Sequence, residues 1–197
     1  MAKVDNPFFG LNATGSIGGT LTYMRLKGQN VVRQKVTPAN PQTVAQTSQR
    51  GHFGNAVSDW QTGGMNQDDI DAWNLYASSS FRKMSGYNLF IRERTNWYKN
   101  SGTSDMFSAV AVSSETANSF DVDVNFPVGG TVKIYYGTTK TSQPTAVDMD
   151  DDADGTWSDT VDGLAASTTY YFYLTIDDGA VSSPMRTGLY TATTTAA

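Results

Sequence analysis

Residues 170–177 read Tyr-Tyr-Phe-Tyr-Leu-Thr-Ile-Asp, with Tyr170, Phe172, Leu174 and Ile176 alternating against Tyr171, Tyr173, Thr175 and Asp177. Side chains of a strand point to opposite faces in turn, so this pattern predicts a β-strand with one face in a core. The same period recurs at Phe120, Val122, Val124 and Phe126 against Asp121, Asp123 and Asn125, and at Val132, Ile134 and Tyr136 against Lys133 and Tyr135. Strands of this length separated by Gly, Asp and Pro predict a two-sheet β-sandwich, and the roughly 95 residues after the polar linker Ser101–Ser104 match the size of one such domain.

Upstream of that linker the periodicity changes. Pro38 and Pro41 stop an extended segment and prepare a helix start near Gln42 or Thr43, since proline fixes φ and lacks an amide that the first turn would leave unpaired. Val44, Phe53, Val57 and Trp60 then fall on one side of a helix, which Gly51 and Gly54 weaken by about 1 kcal/mol each. A second helix begins at Asn66, with Asp69 at the capping-box position and an apolar stripe of Ile70, Trp73 and Tyr76 or Ala77. A third follows Ser85-Gly86, with Leu89, Phe90, Ile91 and Trp97 apolar and Arg92, Glu93, Arg94 and Lys99 read as solvated. Trp60, Trp73, Phe90 and Trp97 are expected to form a small aromatic core between helices.

Before the helices, Leu21, Tyr23 and Arg25 alternate with Thr22, Met24 and Leu26, and Lys27-Gly28-Gln29-Asn30 turns the chain into Val31–Val36. A lone hairpin is marginal in water, so this one needs a sheet to join. Residues 1–19 hold four glycines and the aromatic pair Phe8 and Phe9, and read as an arm ordered by a partner. The expected fold is α+β: an extended arm, hairpin and three short helices in residues 1–100, then an all-β sandwich in residues 104–197.

The charge is uneven. Residues 1–100 hold eleven Lys or Arg against six Asp or Glu, whereas residues 101–197 hold three against thirteen, within a net charge of −5. Such a split suits two modules facing different surroundings. The cations are scattered, not striped, so nucleic acid is not an expected partner. With no cysteine and a single histidine, His52, neither a disulfide framework nor a thiolate or imidazole metal cluster is available. No apolar run approaches a membrane span, and the start MAKVDNPFFG lacks a signal-peptide apolar region, so no membrane role or signal-directed export is expected.

Leu164-Ala-Ala-Ser-Thr168-Thr-Tyr170 resembles the approach to the sixth strand of fibronectin type III domains, in which the tyrosine is the corner residue. The resemblance covers residues 105 to about 193 and implies an immunoglobulin/fibronectin III-like sandwich, with Phe120 standing where the usual strand-B tryptophan would be. The N-terminal half carries a narrower order of motifs. Gly15-x-Ile17-Gly18, Gly28, Val31-Val32-Arg33, Pro38-x-Asn40-Pro41-x-Thr43-x-x-Gln46-x-x-x-Arg50, Trp60, Ala72-Trp73 and Gly86-x-x-Leu89-Phe90 together resemble a group of tailed-bacteriophage proteins encoded among virion structural genes.

That second resemblance implies a non-enzymatic virion protein, made in the host cytoplasm, with other virion proteins as partners and homo-oligomers in the particle. Capsid decoration, docked on the major capsid protein through Phe8, Phe9, Tyr23, Arg33 and Arg50 and projecting the acidic sandwich, is favoured. A tail, neck or fibre component binding a receptor or carbohydrate through Tyr171, Tyr173 and Trp157 is the alternative. Asp150, Asp152, Asp154 and Gly155 match the first half of an EF-hand loop, but the twelfth position is Val161 and no helices flank it. The loop is therefore either a weak calcium site or a solvated acidic turn, and no other cofactor is expected. His52 has no nucleophile elbow beside it and reads as a polar helix residue.

Overall fold

The computed structural model describes residues 2–3, 14–37, 39–79, 84–100, 105–127, 130–152, 154–177 and 185–197. Phe8 and Phe9 lie outside them, as does most of the expected arm. The chain divides into two compact units, Met1–Thr43 and Val44–Ala197.

The first unit is a four-stranded antiparallel sheet in the order β1-β4-β3-β2, from Ala2–Lys3 (β1), Gly15–Ile17 (β2), Leu21–Leu26 (β3) and Gln29–Gln34 (β4). The hairpin β3-β4 turns through two residues, Lys27 at φ 50 and Gly28 at φ 82, so both central residues are left-handed, as a type I′ turn demands and as glycine allows without strain. The sheet that the hairpin needs comes in part from the arm itself. The Thr20 amide closes a turn on the Ile17 carbonyl at 3.1 Å, which folds Gly15–Ile17 back along β3.

The second unit joins three helices to a sandwich. The helices are Val44–Thr62 (α1), Gln67–Ser79 (α2) and Gly86–Asn100 (α3). The capping box of α2 is formed: Asn66 Oδ1 accepts from the Asp69 amide at 2.8 Å and Asp69 Oδ2 accepts from the Asn66 amide at 3.0 Å. Trp60, Trp73 and Phe90 pack edge to face, with centroids 5.1 Å (Trp60–Phe90) and 5.3 Å (Trp73–Phe90) apart, around buried Ala56, Ala77, Leu89 and Ile91. Three readings of the helices change. Val44 and Phe53 are exposed, because every residue from Val44 to Gly51 is exposed and α1 enters its packing only around His52 and Ala56. Trp97 belongs to the sandwich core and not to the helical one. Arg94 is buried, since it stands three residues from both Ile91 and Trp97 and shares their face.

The sandwich strands are Ser108–Ser113 (β5), Phe120–Asn125 (β6), Thr131–Gly137 (β7), Thr145–Asp148 (β8), Asp150–Asp151 (β9), Thr156–Val161 (β10), Thr169–Asp177 (β11) and Tyr190–Thr193 (β12). They form two antiparallel sheets, β5-β6-β10-β9 and β12-β11-β7-β8. Strands one, two and five of the immunoglobulin order thus lie in one sheet, with three, six and seven in the other. The fold is α+β, with an immunoglobulin/fibronectin III-like sandwich. Its inner faces supply Phe120, Val122, Val124, Val132, Ile134, Phe172 and Leu174, all essentially fully buried. Phe120 does occupy the core at the start of the second strand, 5.6 Å from the Phe172 ring.

The division expected between residues 100 and 104 does not separate two cores. Ala72 of α2 and Trp97 of α3 are part of the same buried cluster as Phe120 and Phe172. The boundary falls at residues 43 and 44 instead.

The tyrosine corner is present, with the Ala165 amide donating to the Tyr170 hydroxyl at 2.9 Å. Tyr170→Phe keeps the ring but strips the amide of its acceptor, so a loss of about 0.5 to 1.5 kcal/mol is expected. Phe172→Ala, which empties a fully buried site, is expected to cost about 3 to 5 kcal/mol in the same denaturant titrations. The reverse order would contradict the observed strand facing.

Candidate functional site

Large apolar side chains left in solvent concentrate near the start of the chain. Among the described residues, Ile17, Leu21, Leu26, Val36, Val44 and Phe53 are exposed, from 40% for Leu21 to 87% for Val44, and outside this stretch only Tyr87 joins them. Single exposed apolar residues are ordinary on a protein surface, whereas neighbouring ones are less so. Ile17 and Leu21 are cross-strand partners, so they lie side by side on one face of the first unit's sheet.

Of the expected assembly residues, Tyr23 and Arg33 belong to the first unit. Tyr23 is half-buried and pairs with Val32, whereas Arg33 is exposed and pairs with Thr22, so alternation puts Tyr23 and Arg33 on opposite faces of the sheet. Arg50 is exposed on the uncovered first half of α1, in the other unit.

A second concentration of functional groups lies within the second unit, where α2 and α3 meet the sandwich. The segment Thr187–Tyr190 runs directly against α2. The Leu189 amide donates to the Ala72 carbonyl at 2.9 Å, and a Cβ on Gly188 would stand 2.6 Å from the Ala72 carbonyl carbon and the Trp73 nitrogen. Beside this contact, buried Tyr190 donates its hydroxyl to Asp69 Oδ1 at 2.5 Å. Burial, and then the Asp69 charge and hydrogen bond, raise the Tyr190 phenol well above its ordinary value. Arg94 donates through Nε to Asp59 Oδ2 at 2.6 Å and through Nη1 to the Asp105 carbonyl at 2.6 Å, and the Tyr98 hydroxyl reaches the same Asp59 oxygen at 2.7 Å. Burial and that bond raise the Tyr98 phenol. Arg186 lies between the rings of Tyr76 and Tyr173, 3.9 Å from each centroid, and burial lowers its pKa against the opposing influence of those rings and Glu93. Such stacking suits a guanidinium, which is planar and weakly hydrated. A cavity of about 180 Å3 lies among these groups.

The motif-based reading missed this junction for definite reasons. Asp69 was legible as a capping residue, but its second oxygen is used 121 residues away. Arg94 was read by its charge, although its spacing from Ile91 and Trp97 puts it on the buried face.

The acidic loop does not gather its carboxylates. Asp150 sits on β9 opposite Ser158, Asp152 Oδ2 accepts from the Ser158 hydroxyl at 2.9 Å, and Asp154 Oδ1 accepts from the Thr156 amide at 3.0 Å and from the Thr156 hydroxyl. Those Thr156 bonds lower the Asp154 carboxyl. Gly155 turns the chain at φ 88. Among the described residues no group of three or more His, Cys, Asp or Glu is placed to hold a metal ion.

The aromatic residues considered for ligand stacking are not an open platform. Trp157 is buried and donates its indole N–H to the Phe126 carbonyl at 3.1 Å; the Tyr173 ring is taken by Arg186 and, at 5.2 Å, by Tyr135. Tyr171 has Lys140 5.8 Å from its ring. His52 bonds Ser48 at 3.1 Å and stacks on Tyr98 at 6.4 Å. No described helix is long and apolar enough to cross a membrane.

No protein-family model matches the sequence, and no curated protein matches it. Similar solved structures include the fn3 domain of human collagen alpha-1(XX) chain, 24% identical over 49% of this chain and 90% of that one, with a TM-score of 0.36. The FN5 domain of Drosophila Lar is 16% identical over 45% and 94%, at 0.34. The sensor domain of the anti-sigma factor RsgI4 in Pseudobacteroides cellulosolvens is 22% identical over 47% and 91%, also at 0.34.

Two substitutions probe the junction. Gly188→Ala forces its new Cβ against α2 backbone that cannot rotate away, and is expected to lose about 1 to 3 kcal/mol of unfolding free energy in denaturant; an unchanged midpoint would mean that the segment and α2 are not held this closely. For Tyr190 the sign of the pH effect follows from the raised pKa. The folded state keeps a proton that the unfolded chain releases near 10.0, so the stability is complete below that pH and falls as pH rises towards the folded value. The slope reaches at most about 1.4 kcal/mol per pH unit. Tyr190→Phe is expected to flatten the decline seen between about pH 9 and 11 without abolishing it, because Tyr98, Tyr136 and Tyr173 are raised as well.

Proposed function

We propose that this chain is a non-enzymatic structural protein of a tailed-phage virion, a capsid decoration protein that docks through its N-terminal half and projects the acidic sandwich. The observation that carries the reading is the set of exposed apolar side chains on the first unit, Ile17, Leu21, Leu26 and Val36, whereas the large apolar residues described in the sandwich strands are not exposed. The surface is basic where the sandwich is acidic: residues 1–43 hold five Lys or Arg against one Asp, and residues 44–197 nine against eighteen. A basic, partly apolar sheet suits docking on an acidic protein lattice, with long-range attraction that salt weakens. The motif order from Gly15 to Phe90 supports a virion location, and the major capsid protein is the favoured partner, with tail proteins second and further copies of this chain alongside. The burial of Trp157 and the pairing of Tyr173 weigh against a carbohydrate-binding tip, which needs open aromatic faces.

Mass spectrometry of purified particles provides the first test, and particles that lack the chain would remove the proposal. The second is the double substitution Ile17→Asp with Leu21→Asp. Both sites are exposed, so each change is expected to alter folding stability by no more than about 0.5 kcal/mol. Co-sedimentation with particles should nevertheless be lost. Undiminished co-sedimentation of this variant would exclude the sheet as the docking surface.

A further inference from the structure

The cavity of about 180 Å3 between α2, α3 and the sandwich is partly open, and Trp73, Phe90, Trp97, Phe107 and Met185 form much of its wall. Four charged side chains also line it, and the counter-charges are unequally distributed. Arg94 is answered by Asp59, Glu93 by Arg92, and Asp69 by the Tyr190 hydroxyl and the Asn66 amide. For Arg186, no described carboxylate lies within ion-pair distance. Its two faces are covered by Tyr76 and Tyr173, and its Nε is spent on the Thr187 carbonyl at 3.2 Å. Its Nη edge is a planar fork of donors whose geometry matches a carboxylate. Arg186 is half-buried, and among the described residues its charge is answered by Glu93 on the same wall without a direct ion pair, so ring faces offset only part of its desolvation.

We propose that this cavity binds a small aromatic monocarboxylate, with the ring against the Trp73 and Phe90 wall and the carboxylate on the Nη edge of Arg186. The volume suits one ring, since an apolar cavity of about 150 Å3 admits benzene. Methionine in the wall adapts to ligand shape. The site is independent of the docking surface, because none of Ile17, Leu21 and Leu26 lines it.

The test is titration of the full chain with benzoate and with benzamide, its uncharged isostere, at fixed ionic strength, followed by tryptophan fluorescence and calorimetry. Saturable benzoate binding is expected, about tenfold or more tighter than benzamide, as loss of a charge-assisted bidentate pair implies. Arg186→Gln should remove that preference while leaving benzamide affinity unchanged. Should Arg186→Gln fail to fold, the benzoate to benzamide ratio on the unaltered chain decides alone. No saturable binding, equal affinity for the two probes, or undiminished benzoate preference in folded Arg186→Gln would overturn the proposal. None of these outcomes bears on particle association.

Discussion

The second unit depends on one close approach, that of the Gly188 backbone to the first turns of α2. No side chain fits there, because a Cβ would stand 2.6 Å from main-chain atoms of Ala72 and Trp73. Once the two backbones are this near, the Leu189 amide reaches the Ala72 carbonyl and Tyr190 enters β12 with its hydroxyl on Asp69. A helix is thereby attached to the last strand of a sandwich by main-chain contact and a buried polar bond, and the three helices and eight strands become one unit. The immunoglobulin-type topology needs no such helix to close its sheets. The helices need the sandwich, since α1 to α3 alone would leave Ala72 and Trp97 uncovered.

Polar groups dominate the rest of that junction, and this affects specificity more than net stability. The Arg94–Asp59 pair and the Asp69–Tyr190 bond gain little beyond what matched apolar groups would supply, but Arg94 or Asp69 left without its partner would be a buried charge short of a bond, and Tyr190 an unpaired hydroxyl. Sliding α2 by one residue would break the Asp69–Tyr190 bond, and sliding α3 would break the Arg94–Asp59 pair. The Arg186 stack adds a third fixed point, tying Tyr76 of α2 to Tyr173 of β11. Apolar packing of Trp73 and Phe90 could accept several registers; these directional contacts accept one.

The sandwich was legible because its signal is local. Alternation at 120–126, 132–136 and 170–177 needs no knowledge of distant residues, and each of those runs faces the core as its pattern requires. The capping box at Asn66 and Asp69 and the turn at Gly28 were legible for the same reason. The helix–sandwich junction was not. Asp69 and Tyr190 are 121 residues apart, and nothing near either one names the other. The boundary expected after residue 100 followed a change of composition, which reports a change of secondary structure and is silent about which cores merge. In the EF-hand-like run, spacing aligns Asp150, Asp152 and Asp154 with the first half of a calcium loop, while the strands β9 and β10 decide where each carboxylate goes.

The exposed part of α1 bears on the proposed docking. From Val44 to Gly51 the helix has no buried residue, and a segment of two turns ending in glycine has little helical stability of its own. It is held by continuation into the packed stretch that begins at His52 and Ala56. Val44 at its start is the most exposed large apolar residue described, and Arg50 shares the uncovered stretch. A surface that covered Val44 would therefore stabilise helix already nucleated downstream, without paying for nucleation again. Binding would order few residues, because the rest of α1 is fixed against α3, so the entropy lost on docking through this stretch is small compared with folding a free arm.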